Sequence, residues 1–425
     1  MKIAAHPPKT ASPLSTRSLE PCLLGLGAIV QPVRAKTLQT RIAAALSTAT
    51  EADEAAVGAA REAAAELAGE RPDLAFLFFS PQHLERAAEA AEAVREELRP
   101  RHLLGCVSEG VLGGGREVEE GPAVALWAGV LPEGEIECFH AEAHRTEEGV
   151  AVEGFPDTDD PALVTLLIDP YSFPAQSLLD RLNAERPGLP LVGGIATGAG
   201  GSGAQALIVD EEVYDRGAAG AVLSGVRVTT VVSQGCAPIG HEAVITRAEG
   251  NIVLELAGQP ALERLRRELA RLPRERQLLA AQGLLTGLVI DENQPEYERG
   301  DFLIRGLLGA DEETGALLLG EQVRVGQTLR FHVRDAASAD EDLREALAGL
   351  GEPRAAGALL FTCNGRGTRM FPAPDHDARV VSEALGSPAL AGFFCGGEIG
   401  PVGGRAFLHG FTATLAVFFE SHPAR

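Results

Sequence analysis

Pro190-Leu-Val-Gly-Gly-Ile-Ala-Thr-Gly198 decides how this chain is read, because its pattern stands twice more in the sequence. His102-Leu-Leu-Gly-Cys-Val-Ser-Glu-Gly-Val111 precedes it and Leu390-Ala-Gly-Phe-Phe-Cys-Gly-Gly-Glu-Ile-Gly-Pro401 follows it. Each is a short apolar run that ends in a glycine turn, with Gly105 leading to Ser108, Gly193 or Gly194 to Thr197, and Gly392 to Cys395. A short apolar run closed by such residues reads as a buried strand. Working outward, each run follows a strand and a helix and precedes a closing strand. The first strands are 74–80, 163–169 and 358–363; the helices are 83–98, 174–185 and 375–385; the closing strands are 123–130, 218–227 and 407–419. One order of elements used three times points to internal duplication, with Ser108, Thr197 and Cys395 expected at equivalent strand ends.

The flanking regions differ. The Ala-rich stretch 37–68 reads as one or two helices, with Asp53 and Glu54 in a first turn. Between the second and third copies, 228–244 alternates like a strand, and 241–255 reads as a hairpin turning at Glu249-Gly250-Asn251. A helix over 259–282 is broken at Pro273, strands follow at 302–308, 316–319 and 329–334, and 340–350 is a short charged helix. The fold class is α/β: two halves of repeated strand–helix–strand units, mixed sheets packed against helices. The expected division is a flexible extension over 1–36, one domain over 37–228 and a second over 229–425.

Composition narrows the function. In 425 residues, 37 Lys+Arg stand against 60 Asp+Glu, a net charge of −23. Such a chain is not drawn to a phosphate backbone or an anionic membrane, so neither nucleic acid nor membrane is expected as a partner. With aromatics at 5%, no base-stacking platform is expected either. No apolar run reaches the ~20 residues of a membrane span. The six scattered cysteines, with no C-x-x-C, suit a reducing compartment and a cytoplasmic location.

Longer stretches carry a family resemblance. Ser233-Gln-Gly-Cys-Ala-Pro-Ile-Gly240, Thr246 and Gly250-Asn-Ile-Val-Leu-Glu-Leu-Ala-Gly-Gln-Pro-Ala-Leu262 resemble the start of the C-terminal half of FIST proteins. Leu360-Phe-Thr-Cys-Asn-Gly-Arg366, Gly392-Phe-Phe-Cys-Gly-Gly-Glu-Ile-Gly-Pro401 and Leu408-His-Gly-Phe-Thr-Ala-Thr-Leu415 resemble that half's closing motifs. Residues 37–228 are similar to the FIST N domain, through the glycine turns and Gly217-Ala-Ala-Gly-Ala-Val-Leu-Ser-Gly225. The resemblance implies an intracellular sensory module that binds a small ligand such as an amino acid. The sequence shows no kinase, cyclase, methylation or F-box segment beside the FIST halves, so a separate signalling protein is the expected partner.

The candidate ligand-binding residues are Cys363, Asn364, Arg366, Cys395, Gly396, Gly397, Glu398 and His409, together with Ser108 and Thr197. Arg366 suits a carboxylate and Glu398 an ammonium, with the Gly396–Gly397 backbone as a floor. The competing reading of the same residues is an internal Arg366–Glu398 pair that closes the turn. Cys395, His409 and Glu398 also spell a nucleophile, base and orienter, the pattern of a thiol enzyme, but Cys395 sits in Cys-Gly-Gly without the strained elbow of such a nucleophile. A scaffold for protein interaction is a third reading. His140 and His144 alternate with apolar residues as on a strand, which leaves no metal expected, and no cofactor is expected either. His376, between Asp375 and Asp377, reads as a helix N-terminus.

Overall fold

The three glycine runs become the inner strands of three four-stranded units. A computed structural model describes residues 39–420 apart from 148, 199, 352, 353, 387 and 388; the extension read over 1–36 lies outside the described residues. In the first unit Arg41–Ser47, Val124–Val130, Leu74–Phe79 and His102–Val107 lie side by side in that order. In the second the order is Glu135–Thr146, Ala218–Ser224, Leu163–Ile168 and Leu191–Ala196. In the third it is Val228–Gln234, Thr412–Phe419, Ala355–Cys363 and Leu390–Val402. Each time the last two strands run parallel, joined by a helix, and the other pairings are antiparallel. The stretches LAFLFF and LVTLLI are buried along their whole length. Continuous apolar runs are what a strand covered on both faces requires.

The glycine of the pattern has one physical reason in all three units. Gly105, Gly193 and Gly392 lie in register with Leu77, Leu166 and Leu360 of the neighbouring first strands. A Cβ there would come within 2.3, 1.9 and 1.7 Å of those residues' carbonyl oxygens. Only glycine allows that approach. The register also corrects the expected equivalence. Three residues beyond these glycines stand Ser108, Ala196 and Cys395, so Ala196 and not Thr197 matches the other two. Cys395 lies inside Leu390–Val402 rather than at a strand end.

The units exchange strands around a ring. Val111–Gly113 of the first pairs with Leu390–Val402 of the third, Val111 opposite Phe393. Leu207–Val209 of the second pairs with His102–Val107 of the first, Ile208 opposite Gly105. The distal part of Leu390–Val402 pairs with Leu191–Ala196 of the second, Ile399 opposite Gly193. One apolar core is shared by all three units, with Phe76, Phe78 and Trp127, Leu167 and Val192, and Phe361, Phe393 and Phe418 packed together. Helices Ala52–Glu66 and Ala87–Leu98 cover the outer face of the first unit, Ala175–Glu185 that of the second, and Ala336–Ala348 and His376–Leu385 that of the third. The Ala-rich stretch near residue 40 differs from expectation: it opens with the strand Arg41–Ser47 before the helix.

A closed six-stranded barrel is inserted into the third unit. Cys236–Glu249, Thr328–Arg334, Leu284–Val289, Phe302–Asp311, Ala316–Leu319 and Ile252–Leu256 pair in sequence and return to Cys236–Glu249. Its core includes Ile245, Val253, Leu256, Leu317, Leu329 and Phe331. The interrupted helix is present as Ala261–Arg271 and Arg274–Gln282 on either side of Pro273. Among the described residues no helix is long and apolar enough to cross a membrane.

Candidate functional site

The ring of strand exchange brings together the ends of the three units. The Ser108 hydroxyl donates to the Phe394 carbonyl at 2.6 Å and lies 3.4 Å from the Thr197 hydroxyl. Asn364 Nδ2 donates to Thr197 Oγ1 at 3.1 Å, and the Asn364 N–H donates to the Cys395 carbonyl at 2.9 Å. Gly396 packs against Thr197, whose Cγ2 would stand 2.7 Å from an added Cβ. Five of the sequence candidates, Ser108, Thr197, Asn364, Cys395 and Gly396, thus meet in one cluster. The pocket there is about 10 Å³, lined by Asn364, Phe394, Glu109, Gly110, Glu119 and Arg369. That holds about one water and no amino acid. Among the described residues, the buried Asn364 Oδ1 has no hydrogen-bond partner.

Arg366 differs from the expected wall of a binding site. It is fully buried, and its guanidinium forks onto Asp377, Nε to Oδ2 at 2.7 Å and Nη2 to Oδ1 at 2.8 Å. The internal partner is therefore Asp377 and not Glu398. Thr362 Oγ1 donates to Asp377 Oδ2 at 2.7 Å, and His376 Nδ1 lies 2.9 Å from Oδ1. His376 in turn reaches Asp340 at 2.9 Å and stacks on Phe371 with 3.4 Å between centroids. Burial pushes the Asp377 carboxyl up, but the Arg366 guanidinium and these hydrogen bonds outweigh it and hold the group well below the usual carboxylate range. His376 does open a helix, as the sequence implied, but the acid beside it serves Arg366.

Glu398 is buried differently. Its Oε2 accepts from the Thr412 N–H at 3.1 Å and the Thr412 hydroxyl at 2.7 Å, while Oε1 has no hydrogen-bond partner among the described residues. Burial raises its pKa to about 8, above what the Thr412 bonds and Arg366 take back. His409 stands opposite Glu398 in the ladder, yet its Nε2 meets the Gly400 carbonyl at 3.0 Å, and burial lowers its pKa to about 4. The Cys395 thiol is fully buried, lies 3.7 Å from the Phe393 carbonyl, and is pushed well above its ordinary pKa by burial. Cys363, its neighbour in the ladder, is raised to about 12 by burial and by Glu398. Neither thiol is poised as a thiolate, and His409 is not bonded to one. The described cysteines Cys106, Cys138, Cys236, Cys363 and Cys395 are free.

Space for a ligand lies elsewhere. A cleft of about 400 Å³ opens where the barrel meets the second and third units. The helix Ala175–Glu185 contributes Gln176 and Asp180, the barrel Val289 and Leu303, the loop after Ala316–Leu319 contributes Arg324, and the strand Arg405–His409 contributes Arg405 and Phe407. Arg405 sits over the Phe407 ring, 5.4 Å from its centroid. Gln176 Nε2 donates to Asp180 Oδ1 at 2.9 Å. Glu321 is already engaged by the half-buried Arg305 at 2.9 Å. Pockets for small molecules fall in the ~300–1,000 Å³ range and gather at junctions between structural parts. The sequence reading missed this cleft because Arg324 and Arg405 belong to separate turns. The one local signal was a lone arginine after Gly403-Gly404.

Two family models match the chain, the FIST N domain over residues 73–259 and the FIST C domain over residues 261–401. The chain is 46% identical over 385 residues to Uncharacterized protein Rv0628c of Mycobacterium tuberculosis (strain ATCC 25618 / H37Rv), covering 89% of this chain and 100% of the relative. It is 45% identical over 385 residues to Uncharacterized protein Mb0898c of Mycobacterium bovis (strain ATCC BAA-935 / AF2122/97), covering 89% and 99%.

Proposed function

The chain belongs to the FIST family, whose domains are associated with sensory signal transduction, and from that premise we propose that it is a cytoplasmic, non-enzymatic sensor of a small amino-acid-like ligand. It reports to a separate signalling protein. The observation that carries the reading is the cleft of about 400 Å³ with Arg324 and Arg405 in its wall. A guanidinium binds a carboxylate through two parallel hydrogen bonds, and Asp180 supplies the complementary charge for an ammonium. The strand Arg405–His409 pairs with Leu390–Val402, placing Arg405 opposite Val402 and His409 opposite Glu398. It is a rigid link between the cleft and the buried polar layer, and a ligand held by Arg405 acts on that layer through it. The sealed thiols and the separation of His409 from them favour sensing over thiol chemistry.

The test is thermal denaturation of the full chain against a panel of amino acids and small carboxylates. A ligand at 100 times its Kd stabilises by about 2.7 kcal/mol, which a melting curve resolves. Arg405→Ala is expected to abolish the shift, and incubation with the stabilising compound is expected to leave it chemically unchanged. Turnover of that compound overturns the non-enzymatic reading. If Asn364→Ala removes the shift and Arg405→Ala does not, the cleft is not the binding site. No stabilising compound in the panel removes the amino-acid-like ligand.

A further inference from the structure

We propose that His102, Cys138 and Asp210 form a binding site for a borderline divalent cation of the zinc type, which ties the first unit's sheet to the second unit's. The three residues come from three strands or their turns. His102 opens His102–Val107, Cys138 lies within Glu135–Thr146, and Asp210 follows Leu207–Val209. One ligand atom from each, an imidazole nitrogen, a sulfur and a carboxylate oxygen, lies within 4.8 Å of the other two. His102 Nδ1 is 3.2 Å from both Asp210 oxygens. A tetrahedral cation with bonds of ~2.0–2.3 Å holds its ligand atoms ~3.3–3.8 Å apart, so the His102–Asp210 spacing is already close to that and a side-chain shift of ~1 Å brings Cys138 to it.

The donor set selects the metal. One nitrogen, one sulfur and one oxygen suit zinc and its neighbours, whereas magnesium and calcium take oxygen alone. Three protein ligands leave a fourth position for water, and all three residues are half-buried, so that position has access to solvent.

The surroundings hold the ligands in place. The Leu103 N–H donates to Asp210 Oδ1 at 3.1 Å, and Arg95 Nη1 donates to the Asp210 carbonyl at 2.7 Å. Asp210 has a positive φ of 53°, a turn conformation that carries its carboxylate back toward His102. Such outer bonds are what orient metal ligands. Cys138 lies in the second unit's sheet, whereas Leu207–Val209, which leads into Asp210, is hydrogen-bonded into the first unit's sheet beside the strand that His102 opens. A cation here therefore crosslinks the two sheets, as an ordinary His102–Asp210 ion pair does not.

The experiment uses the untagged full chain, stripped with a chelator and titrated with zinc, then with cobalt(II). The expected result is one zinc per chain by elemental analysis, a raised melting temperature, and with cobalt a near-ultraviolet thiolate-to-metal absorption. Cys138→Ala is expected to remove that absorption and weaken binding by roughly 100-fold, at or beyond the loss from an outer-shell partner. Asp210→Asn, which keeps the shape of the side chain, should weaken binding and keep the absorption. Circular dichroism verifies that each variant is folded, and Cys138→Ser replaces Cys138→Ala if that variant is not. Less than a tenth of an equivalent bound by the wild type overturns the site, as does a thiolate absorption that survives in the Cys138 variant.

Discussion

Asp377 and Glu398 are two buried carboxyls of the same unit, and they have opposite electrostatic fates. Asp377 takes an arginine fork, a threonine hydroxyl and a histidine edge, four contacts shared between its two oxygens. Glu398 takes two donors from Thr412 on one oxygen and none on the other. Burial pushes both upward. What separates them is the number of donors and the directness of the cation, which decide whether the ionised form survives the loss of water. Asp377 is a structural anion. Burial biases Glu398 toward its protonated form near neutral pH, and among the described residues its second oxygen has no hydrogen-bond partner.

The largest effect is expected from removing the arginine. Arg366→Ala leaves Asp377 charged and alone in the core, and breaking such a pair costs about 3–5 kcal/mol. Chemical denaturation would show it as a fall in the midpoint with little change of slope. Replacing both partners, as in Arg366→Met with Asp377→Leu, should return most of that loss, because no charge is then left unpaired. A single variant that loses less than about 1 kcal/mol would mean that water reaches Asp377 and that the two carboxyls are not truly different.

A middle-sized effect separates the pair by pH. Asp377 is depressed when folded, so its contribution is present above the ordinary Asp value of about 3.9 and is lost as pH falls below it. Glu398 is raised to about 8 from 4.5, so the folded state binds more protons between those values than the unfolded state does. Stability from this group falls as pH rises through that window and levels off above it. Glu117, also raised to about 8, first by burial and then by Asp377, adds to the same slope. Glu398→Gln keeps the shape and the acceptor for Thr412 but cannot ionise. It should match the wild type to within about 1 kcal/mol near pH 5 and exceed it by several kcal/mol, on the order of 4, at pH 8–9. Parallel stability curves for the two proteins would place the Glu398 pKa at an ordinary value.

How much of this was legible in the sequence follows from the range of each interaction. The three units were readable because LAFLFF, LVTLLI and ALLF are continuous buried runs and because the glycine of each turn is required by a neighbouring carbonyl. The strand Arg41–Ser47 was not, since RIAAALS has the composition of a helix and becomes a strand only by pairing with Val124–Val130. Ser108 and Thr197 were found through the repeat itself, and Asn364 through the motif Leu360-Phe-Thr-Cys-Asn-Gly-Arg366. The Arg366 partner was missed for a definite reason: Asp377 follows the start of a helix, where acids are explained by the dipole alone. The barrel strands were mostly visible by alternation. The cleft beside them was invisible, because it exists only once the barrel is docked.

The smallest effect comes from the second arginine of the same turn. Arg369 is three residues after Arg366, but its side chain is 57% exposed against 0% for Arg366. It pairs with Glu109 at 3.1 Å and donates to the Asn364 carbonyl at 3.0 Å. In water an exposed pair gains little Coulomb energy and must hold two long side chains still, so its worth is about 0–1 kcal/mol. Arg369→Ala should therefore lower stability by less than about 1 kcal/mol, and added salt should shrink even that. The same salt should leave the Arg366→Ala deficit nearly unchanged, since screening ions do not enter the core. Measuring both variants at low and high salt tests burial rather than pairing as the cause of the difference. An Arg369→Ala loss as large as that of Arg366→Ala would show that the turn is held by its carbonyl bond to Asn364, and that charge burial is not what distinguishes the two arginines.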